Sequence, residues 1–351
     1  MSTIARLEDR YEFVKDLAKG GEGEVKQYRR KDTGTFVAVK FRGRKNRGRA
    51  REVDILQSFP KNRLIVGFVE CFNINHQDCA IVLEYCPGGD LYGFYRRQMQ
   101  SNTKFAFSER FMWSVFKQLA DALAFLHSYR CGGGRLQPVI HCDIKPNNIL
   151  IKSLGTKGDF SSISIRLADF GFARFYDPKH TYQSLFGSSA YFPPEMDWQE
   201  PKYNPALDIW GMGAVMHFLA HGYPPLEDPD IAAKRGAEGN VSLSGANKEK
   251  FLSRGYSESD WHNLNTKRVV VAINLEQDNQ TSDSRTKRPT PRYSDALNKC
   301  FNLPLTMDAQ VRPDASVIAK RVKKHQPSFW WSDLLDKIKC LCNKEKARRN
   351  S

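Results

Sequence analysis

The pattern of hydrophobic and polar positions changes about a quarter of the way along the chain. Residues 11–40 and 64–86 contain short, β-branched runs bounded by turn residues, which predict strands. From Ser108 onward the apolar positions follow the helical period instead, and Ser108 itself is predicted to cap an amphipathic helix. A strand-rich first part followed by a helix-rich remainder predicts an α+β fold with two segregated lobes.

The same pattern places two more helices and the boundary between the lobes. A short helix is predicted over residues 51–59 and a long apolar helix over residues 206–220. Pro87 and the two glycines after it form a predicted hinge. This hinge divides the chain into an N-lobe, residues 11–86, and a C-lobe, residues 87–325.

Two stretches depart from this regular pattern. Residues 227–292 are polar and charged with few large apolar side chains, which predicts a mobile insertion within the C-lobe. Residues 326–351 form a basic, amphipathic tail, which we expect to dock on the C-lobe by ordinary packing. The alternative is that residues 329–349 contact an anionic membrane surface through a tryptophan pair and flanking lysines.

The composition and charge indicate which broad class of protein this chain belongs to. The 351 residues are 40% hydrophobic, which is typical of a globular chain with two domains or one two-lobed unit. The net charge of +15 favours acidic partners, but the basic stretches lack interleaved aromatic residues, so we expect no nucleic-acid partner. Because the start lacks a signal-peptide core and no run of about 18 apolar residues exists, we expect a cytoplasmic or nuclear protein, not secreted and without a transmembrane segment. The oligomeric state is not predictable.

Four polar residues carry the strongest chemical signal. Asp143, Lys145 and Asn148 lie in one short run, and Asp169 follows within Asp-Phe-Gly. Asp143 is suited to orient a hydroxyl nucleophile, and Lys145 to neutralise charge on a moving phosphoryl group. The side chains of Asn148 and Asp169 provide the oxygen ligands that Mg²⁺ prefers. The spacing therefore indicates phosphoryl transfer.

A glycine-rich stretch and an ion pair complete the expected chemistry. Residues 18–25 contain three glycines, which let the backbone approach phosphate oxygens, although an ordinary glycine-rich hairpin has the same pattern. Lys40 ends the next apolar run, so its ammonium group is expected beneath those glycines. Glu52 lies on the following predicted helix, where it is expected to pair with Lys40.

With these residues, positions 11–325 resemble a eukaryotic protein kinase domain. The resemblance implies a two-lobed kinase fold and transfer of the γ-phosphoryl group of ATP to protein hydroxyls, with ATP and Mg²⁺ as cofactors. It implies ATP contacts at the glycine loop, the strand lysine and the hinge, namely at Ala18, Lys19, Gly20, Gly21, Glu22, Gly23, Val25, Ala38, Lys40, Glu84, Cys86 and Asp90. The catalytic residues it implies are Asp143 and Lys145, and the metal ligands are Asn148 and Asp169.

The resemblance also assigns structural residues and a branch of the family. Glu195, at the end of the activation segment, would pair with Arg312, and Asp208 would anchor the catalytic loop. Lys145 together with Ser188 indicates the serine/threonine branch, and the sequence looks most similar to NIMA-related kinases. Phe172, after Asp-Phe-Gly, predicts a preference for serine over threonine in the protein substrate.

The departures from the family pattern are few. Ala18 replaces the first loop glycine and Pro193 replaces an alanine, and neither change removes a catalytic group. Cys142 stands where the family has an arginine that pairs with a phosphorylated activation segment. A thiol cannot form that pair, so we expect activity that does not require phosphorylation of Thr181 or Ser184 through this contact.

A rival interpretation is a pseudokinase that acts as a scaffold through its surface and basic tail. Retention of Lys40, Glu52, Asp143, Asn148 and Asp169 argues against it, because a scaffold has no chemical need for the full set.

Overall fold

The computed structural model describes residues 3–20, 23–41, 49–73, 79–103, 105–155, 160, 162–228, 231, 245–276 and 291–327. Gly21, Glu22 and the tail from residue 328 onward lie outside these residues, so what the sequence predicts for them stays a prediction.

The N-lobe is a five-stranded antiparallel sheet with the strand order β1-β2-β3-β5-β4. Its strands are β1 (Tyr11–Gly20), β2 (Gly23–Arg30), β3 (Phe36–Phe41), β4 (Phe68–Asn73) and β5 (Cys79–Glu84). An N-terminal helix, α1 (Thr3–Arg10), packs Leu7 into a small core with Tyr11 and Val39. Helix α2 (Arg49–Ser58) follows β3 and buries Ile55 and Leu56 in the main core.

The C-lobe is built around three helices, α3 (Leu91–Ser101), α4 (Glu109–His127) and α5 (Pro205–His221). Ser108 caps α4 as the sequence predicts, because its hydroxyl accepts a hydrogen bond from the backbone N–H of Phe111 at 3.2 Å. Helix α5 is buried along nearly its whole length, so it forms the centre of the lobe. It begins at a proline and ends before Gly222, whose φ of +86° stops the helix.

A short hairpin carries the polar residues of the predicted site. Strands β7 (Ile149–Ser153) and β8 (Ser164–Leu167) pair antiparallel, and a 3₁₀ turn (Pro146–Asn148) leads into β7. Strands β6 (Val139–Ile140) and β9 (Arg174–Phe175) pair beside it. The two chain segments that carry Asn148 and Asp169 therefore lie side by side.

Residues 245–276 correct one expectation from the sequence. Within the predicted mobile insertion, the structure contains helices α6 (Gly245–Ser253) and α7 (Glu258–Asn265). The side chains of Phe251 on α6 and Trp261 on α7 are buried, and so is that of Ile273, which follows α7. The insertion expected from the sequence is thus helical in part, because a few large apolar side chains, widely spaced in a polar sequence, suffice to pack these segments.

Two further helices close the lobe, α8 (Asp295–Phe301) and α9 (Ala315–His325). Helix α9 packs against α4, with Ile318 and Val322 fully buried. None of the described helices is both long and apolar enough to cross a membrane.

Candidate active site

Lys40 connects the two lobes at the floor of a cleft. Its side chain is only 6% exposed, and its Nζ lies 3.1 Å from Oε1 of Glu52 on α2. The same Nζ lies 2.6 Å from Oδ1 of Asp169 in the C-lobe. A buried ammonium group is stable only with such partners. One strand of the sheet, helix α2 and the segment after β8 are thus held together by one cation.

A cleft of about 760 Å³ lies between the sheet and the C-lobe. Its walls contain most of the described residues that the sequence assigns to ATP and metal, namely Ala18, Val25, Ala38, Lys40, Glu84, Cys86, Asp90, Asn148 and Asp169. A volume of this size suits a ligand as large as a nucleotide.

In the glycine loop, the backbone of Lys19 and Gly23 matters more than their side chains. The side chain of Lys19 is 83% exposed and pairs with Glu24 at 2.8 Å, so a phosphate contact at this position would use the backbone N–H. Gly23 has a φ of +132°, a conformation that residues with a Cβ rarely adopt. Gly23 is therefore required by the turn between β1 and β2.

The carboxylate of the hinge residue Glu84 is held by the C-lobe. Its oxygens lie 2.9 Å from Nζ of Lys152 and 3.1 Å from Nε of Arg166. Burial opposes ionisation of Glu84, but these two cations hold its pKa below the usual value. The Glu84 side chain is thus committed to the interface between the lobes, which leaves the hinge backbone to contact a base.

The other two hinge residues have defined surroundings as well. Burial raises the pKa of the Cys86 thiol to about 12, so Cys86 forms a neutral part of the cleft wall. Asp90, which was expected to reach a ribose, caps α3 by accepting a hydrogen bond from Gly93 N at 2.8 Å. It also lines the cleft, so the cap and a ribose contact are compatible.

Asp143 is held from two sides and is 4% exposed. Nζ of Lys145 lies 2.7 Å from its Oδ2, and Nδ2 of Asn148 donates to the same oxygen at 2.8 Å. Its other oxygen, Oδ1, is buried and has no hydrogen-bond partner among the described residues. A buried carboxylate oxygen without a donor is costly unless a ligand supplies one. This oxygen therefore keeps its capacity to accept a hydrogen bond.

Asp208 on α5 fixes the catalytic loop through its backbone. Its two carboxylate oxygens accept hydrogen bonds from the N–H groups of His141, at 2.8 Å, and Cys142, at 2.9 Å. Nε2 of His127 lies 2.9 Å from the same carboxylate. Cys142 has a φ of +68°, which is unfavourable for a residue with a side chain, so these bonds hold a strained backbone immediately before Asp143.

The residues assigned to metal fit a hard cation in chemistry and position. Asn148 donates through its amide nitrogen, so its carbonyl oxygen is the atom suited to a ligand role. Asp169 also has positive φ, +62°, and its Oδ1 accepts from Lys40. Both residues line the cleft, and carboxylate and amide oxygens are the ligands that Mg²⁺ takes.

The structural pairs expected from the sequence are present. Arg312 and Glu195 form a two-pronged ion pair with distances of 2.8 and 3.0 Å. Ser188 accepts a hydrogen bond from Lys145 at 2.8 Å, which ties the segment before Glu195 to the catalytic loop.

Cys142 lies in an apolar cluster. It is 1% exposed, and burial raises the pKa of its thiol well above the ordinary value. Around it pack aromatic side chains of the activation segment and of the loop before α5, including Phe172, Tyr182, Phe186 and Tyr203. The hydroxyl of Tyr203 both accepts from Phe186 N, at 2.6 Å, and donates to Phe186 O, at 2.8 Å.

Several residues of the site are missing from the sequence prediction. Asp260 and Arg268 contact the segment before Glu195, and Tyr203 holds Phe186. Asp260 and Arg268 lie in a polar stretch without a recognisable motif, where each resembles an ordinary surface charge. The sequence signal in this stretch is Ser257, followed three residues later by Asp260 and then by the apolar Trp261, a spacing that is typical of a capped helix start.

The protein kinase class is defined by a two-lobed fold in which an ion-paired lysine, a catalytic loop and an Asp-Phe-Gly segment meet at the cleft. The family model described as protein kinase domain matches residues 11–348, and the chain belongs to this family.

The chain is similar to curated proteins that are named as kinases, several of them as serine/threonine-protein kinases. The chain is 32% identical over 231 residues to human NUAK family SNF1-like kinase 2, covering 64% of this chain and 33% of the relative. It is 31% identical over 224 residues to human serine/threonine-protein kinase ULK3, covering 62% of this chain and 43% of the relative. It is 28% identical over 260 residues to probable serine/threonine-protein kinase fhkA of Dictyostelium discoideum, covering 63% and 40%. The chain thus spans less than half the length of these relatives.

Proposed function

We propose that this chain is a serine/threonine protein kinase that transfers the γ-phosphoryl group of ATP to protein hydroxyls. The observation that carries the proposal is Oδ1 of Asp143, which has no hydrogen-bond partner among the residues described and is buried beside Lys145 and Asn148. An acceptor hydroxyl that donates to this oxygen would approach the cleft in which the nucleotide is expected.

The chain's own residues divide the chemistry among them. Asp143 would orient the acceptor hydroxyl and take its proton, while Lys145 would offset negative charge on the phosphoryl group in transit. Lys40, held by Glu52, would bind the nucleotide phosphates. Asn148 and Asp169 would hold Mg²⁺, which would supply positive charge to offset the charge of the nucleotide phosphates.

The rival function is that of a pseudokinase, which acts as a scaffold through its surface and basic tail and transfers no phosphoryl group. The complete set of polar residues and their short distances disfavour it. An assay of Mg²⁺-dependent phosphoryl transfer from ATP to a peptide library tests both functions, because a scaffold would leave every peptide unmodified.

We also propose a preference for serine over threonine in protein substrates. Its support is Phe172, whose ring stacks on Phe186 at 5.7 Å between centroids and so lies next to the activation segment. Peptide pairs that differ only in serine or threonine test this preference, and equal rates would contradict it.

The remaining predictions concern the domain limits, the tail and the place of action. We propose a kinase domain over residues 11–325 followed by a separate basic tail over 326–351. The membrane contact through 329–349, the cytoplasmic or nuclear location and the similarity to NIMA-related kinases stay predictions. Liposome sedimentation with and without residues 326–351 tests the membrane contact.

A further inference from the structure

Two consecutive serines connect the catalytic loop to a helix outside the cleft. The hydroxyl of Ser188 accepts from Nζ of Lys145, which itself pairs with Asp143. The hydroxyl of the next residue, Ser189, donates to Oδ1 of Asp260 on α7 at 2.7 Å. The segment that contains these two serines is therefore attached to the catalytic loop through Ser188 and to α7 through Ser189.

The attachment to α7 is built from several polar contacts in a buried place. Ser189 is buried and also accepts a hydrogen bond from Nδ2 of Asn263 at 3.1 Å. The buried guanidinium of Arg268 donates to the carbonyl of Phe192 at 2.9 Å and to the carbonyl of Ser189 at 3.4 Å. These contacts fix both ends of the 3₁₀ turn Ser189–Tyr191.

Asp260 is itself held in place by the start of α7. Its Oδ2 accepts from the backbone N–H of Ser257 at 3.2 Å and from the Ser257 hydroxyl at 2.6 Å. Burial opposes ionisation of Asp260, but hydrogen bonds from Ser257 and Ser189 hold its pKa below the usual value. An ionised, oriented carboxylate makes a stronger hydrogen bond to Ser189 than a neutral group would.

We infer that Asp260 is a positioning residue for the protein acceptor: through Ser189 it sets the place of Ser188 and hence of the surface on which the acceptor hydroxyl approaches Asp143. This inference rests on the proposed kinase function. A small displacement of a positioning segment lowers the rate of a bimolecular transfer, whereas nucleotide binding in the cleft does not involve Asp260.

Steady-state kinetics on the full chain with four single variants test the inference. Asp260→Ala and Ser189→Ala are expected to lower kcat/KM for the acceptor peptide by about tenfold or more, with the KM for ATP unchanged. Asp260→Asn keeps an oxygen acceptor for Ser189 and is expected to retain most of the activity that Asp260→Ala loses. Glu258→Ala removes an exposed carboxylate at the start of the same helix, where it pairs with Lys248 at 3.2 Å, and serves as the matched control. The double variant Asp260→Ala/Ser189→Ala should be little worse than the more impaired single variant, since the contact between Ser189 and Asp260 is already absent in each.

Hydrogen exchange of the backbone amides of residues 185–192 gives a readout that does not depend on activity. Faster exchange is expected in Asp260→Ala and not in Glu258→Ala. Unchanged exchange in Asp260→Ala would overturn the inference whatever the activity, and so would unchanged acceptor kinetics in an active enzyme. Absence of transfer in the unaltered protein would instead contradict the proposed kinase function, and the exchange comparison would still decide whether Asp260 holds this segment.

Discussion

The guanidinium carbon of Arg174 lies 4.5 Å from the centre of the Phe186 ring. Arg174 belongs to β9, next to the catalytic loop, and Phe186 belongs to the activation segment. Burial, and secondarily the nearby Arg51, lower the pKa of Arg174, but the group still carries its charge at neutral pH. A guanidinium group over an aromatic ring is attracted to the face of that ring, and this attraction does not require a phosphorylated residue. The activation segment is thereby held against the C-lobe by an interaction that does not need the arginine absent at position 142.

The first prediction concerns activation by phosphorylation. A variant with Thr181→Ala and Ser184→Ala is expected to keep a rate within about threefold of the unaltered protein, because Phe186 is already held by Arg174 and Tyr203. Phe186→Ala should lose activity by more than this. Peptide phosphorylation by phosphatase-treated protein is the measurement, and a large gain in rate upon phosphorylation of Thr181 or Ser184 would contradict the prediction.

The second prediction concerns stability at alkaline pH. The pKa of Cys86 is raised to about 12 in the folded protein, while an unfolded thiol ionises near pH ~8.5. Because the folded pKa is the higher one, the stabilising contribution is complete below pH ~8.5 and is lost as the pH rises toward 12. The loss should approach about 1.4 kcal/mol per pH unit between these values.

Urea unfolding at pH 8 and pH 10 measures this loss. Cys86→Ala should show a smaller decrease in unfolding free energy over this interval than the unaltered protein. Cys131→Ala is the matched control, because Cys131 is a free cysteine that is only partly buried. An equal decrease in Cys86→Ala and the unaltered protein would show that Cys86 does not have the raised pKa.

The third prediction compares a buried ion pair with an exposed one. Arg312 has a fully buried side chain, whereas that of Glu195 is 31% exposed. Glu195→Gln should therefore cost about 3 kcal/mol in the free energy of unfolding, because it leaves a buried guanidinium without a counter-charge. Glu12→Gln removes the partner of Arg29 at the surface, where water screens the pair, and should cost far less than Glu195→Gln. Urea unfolding of both variants is the measurement, and equal costs would contradict the difference in burial.

Parts of the fold and site were predictable because local sequence determines them. The strand pattern before Glu84, the cap at Ser108 and the run from Asp143 to Asn148 each depend on near neighbours in the chain, and the structure contains the corresponding elements. The contact of Lys40 with Glu52 was also within reach, since the helix follows the strand closely.

Other parts depended on contacts between distant segments. Ser189 and Asp260 are 71 residues apart, and nothing in the local sequence of either indicates the other. The sequence does not indicate helices α6 and α7, because it is polar on average there. A few aromatic side chains such as Trp261 instead pack with residues far along the chain. Pairings of this kind follow from the folded geometry and not from sequence spacing.

The most direct test of the account is phosphoryl transfer by the unaltered protein and by Asp143→Asn, side by side. Both proteins should bind ATP with Mg²⁺ with similar affinity, because Asp143 is not among the cleft-lining residues. Transfer of the γ-phosphoryl group to a serine peptide is expected from the unaltered protein and should fall about a hundredfold or more in Asp143→Asn. Equal transfer by the two proteins, or no transfer by the unaltered protein despite ATP binding, would contradict the account.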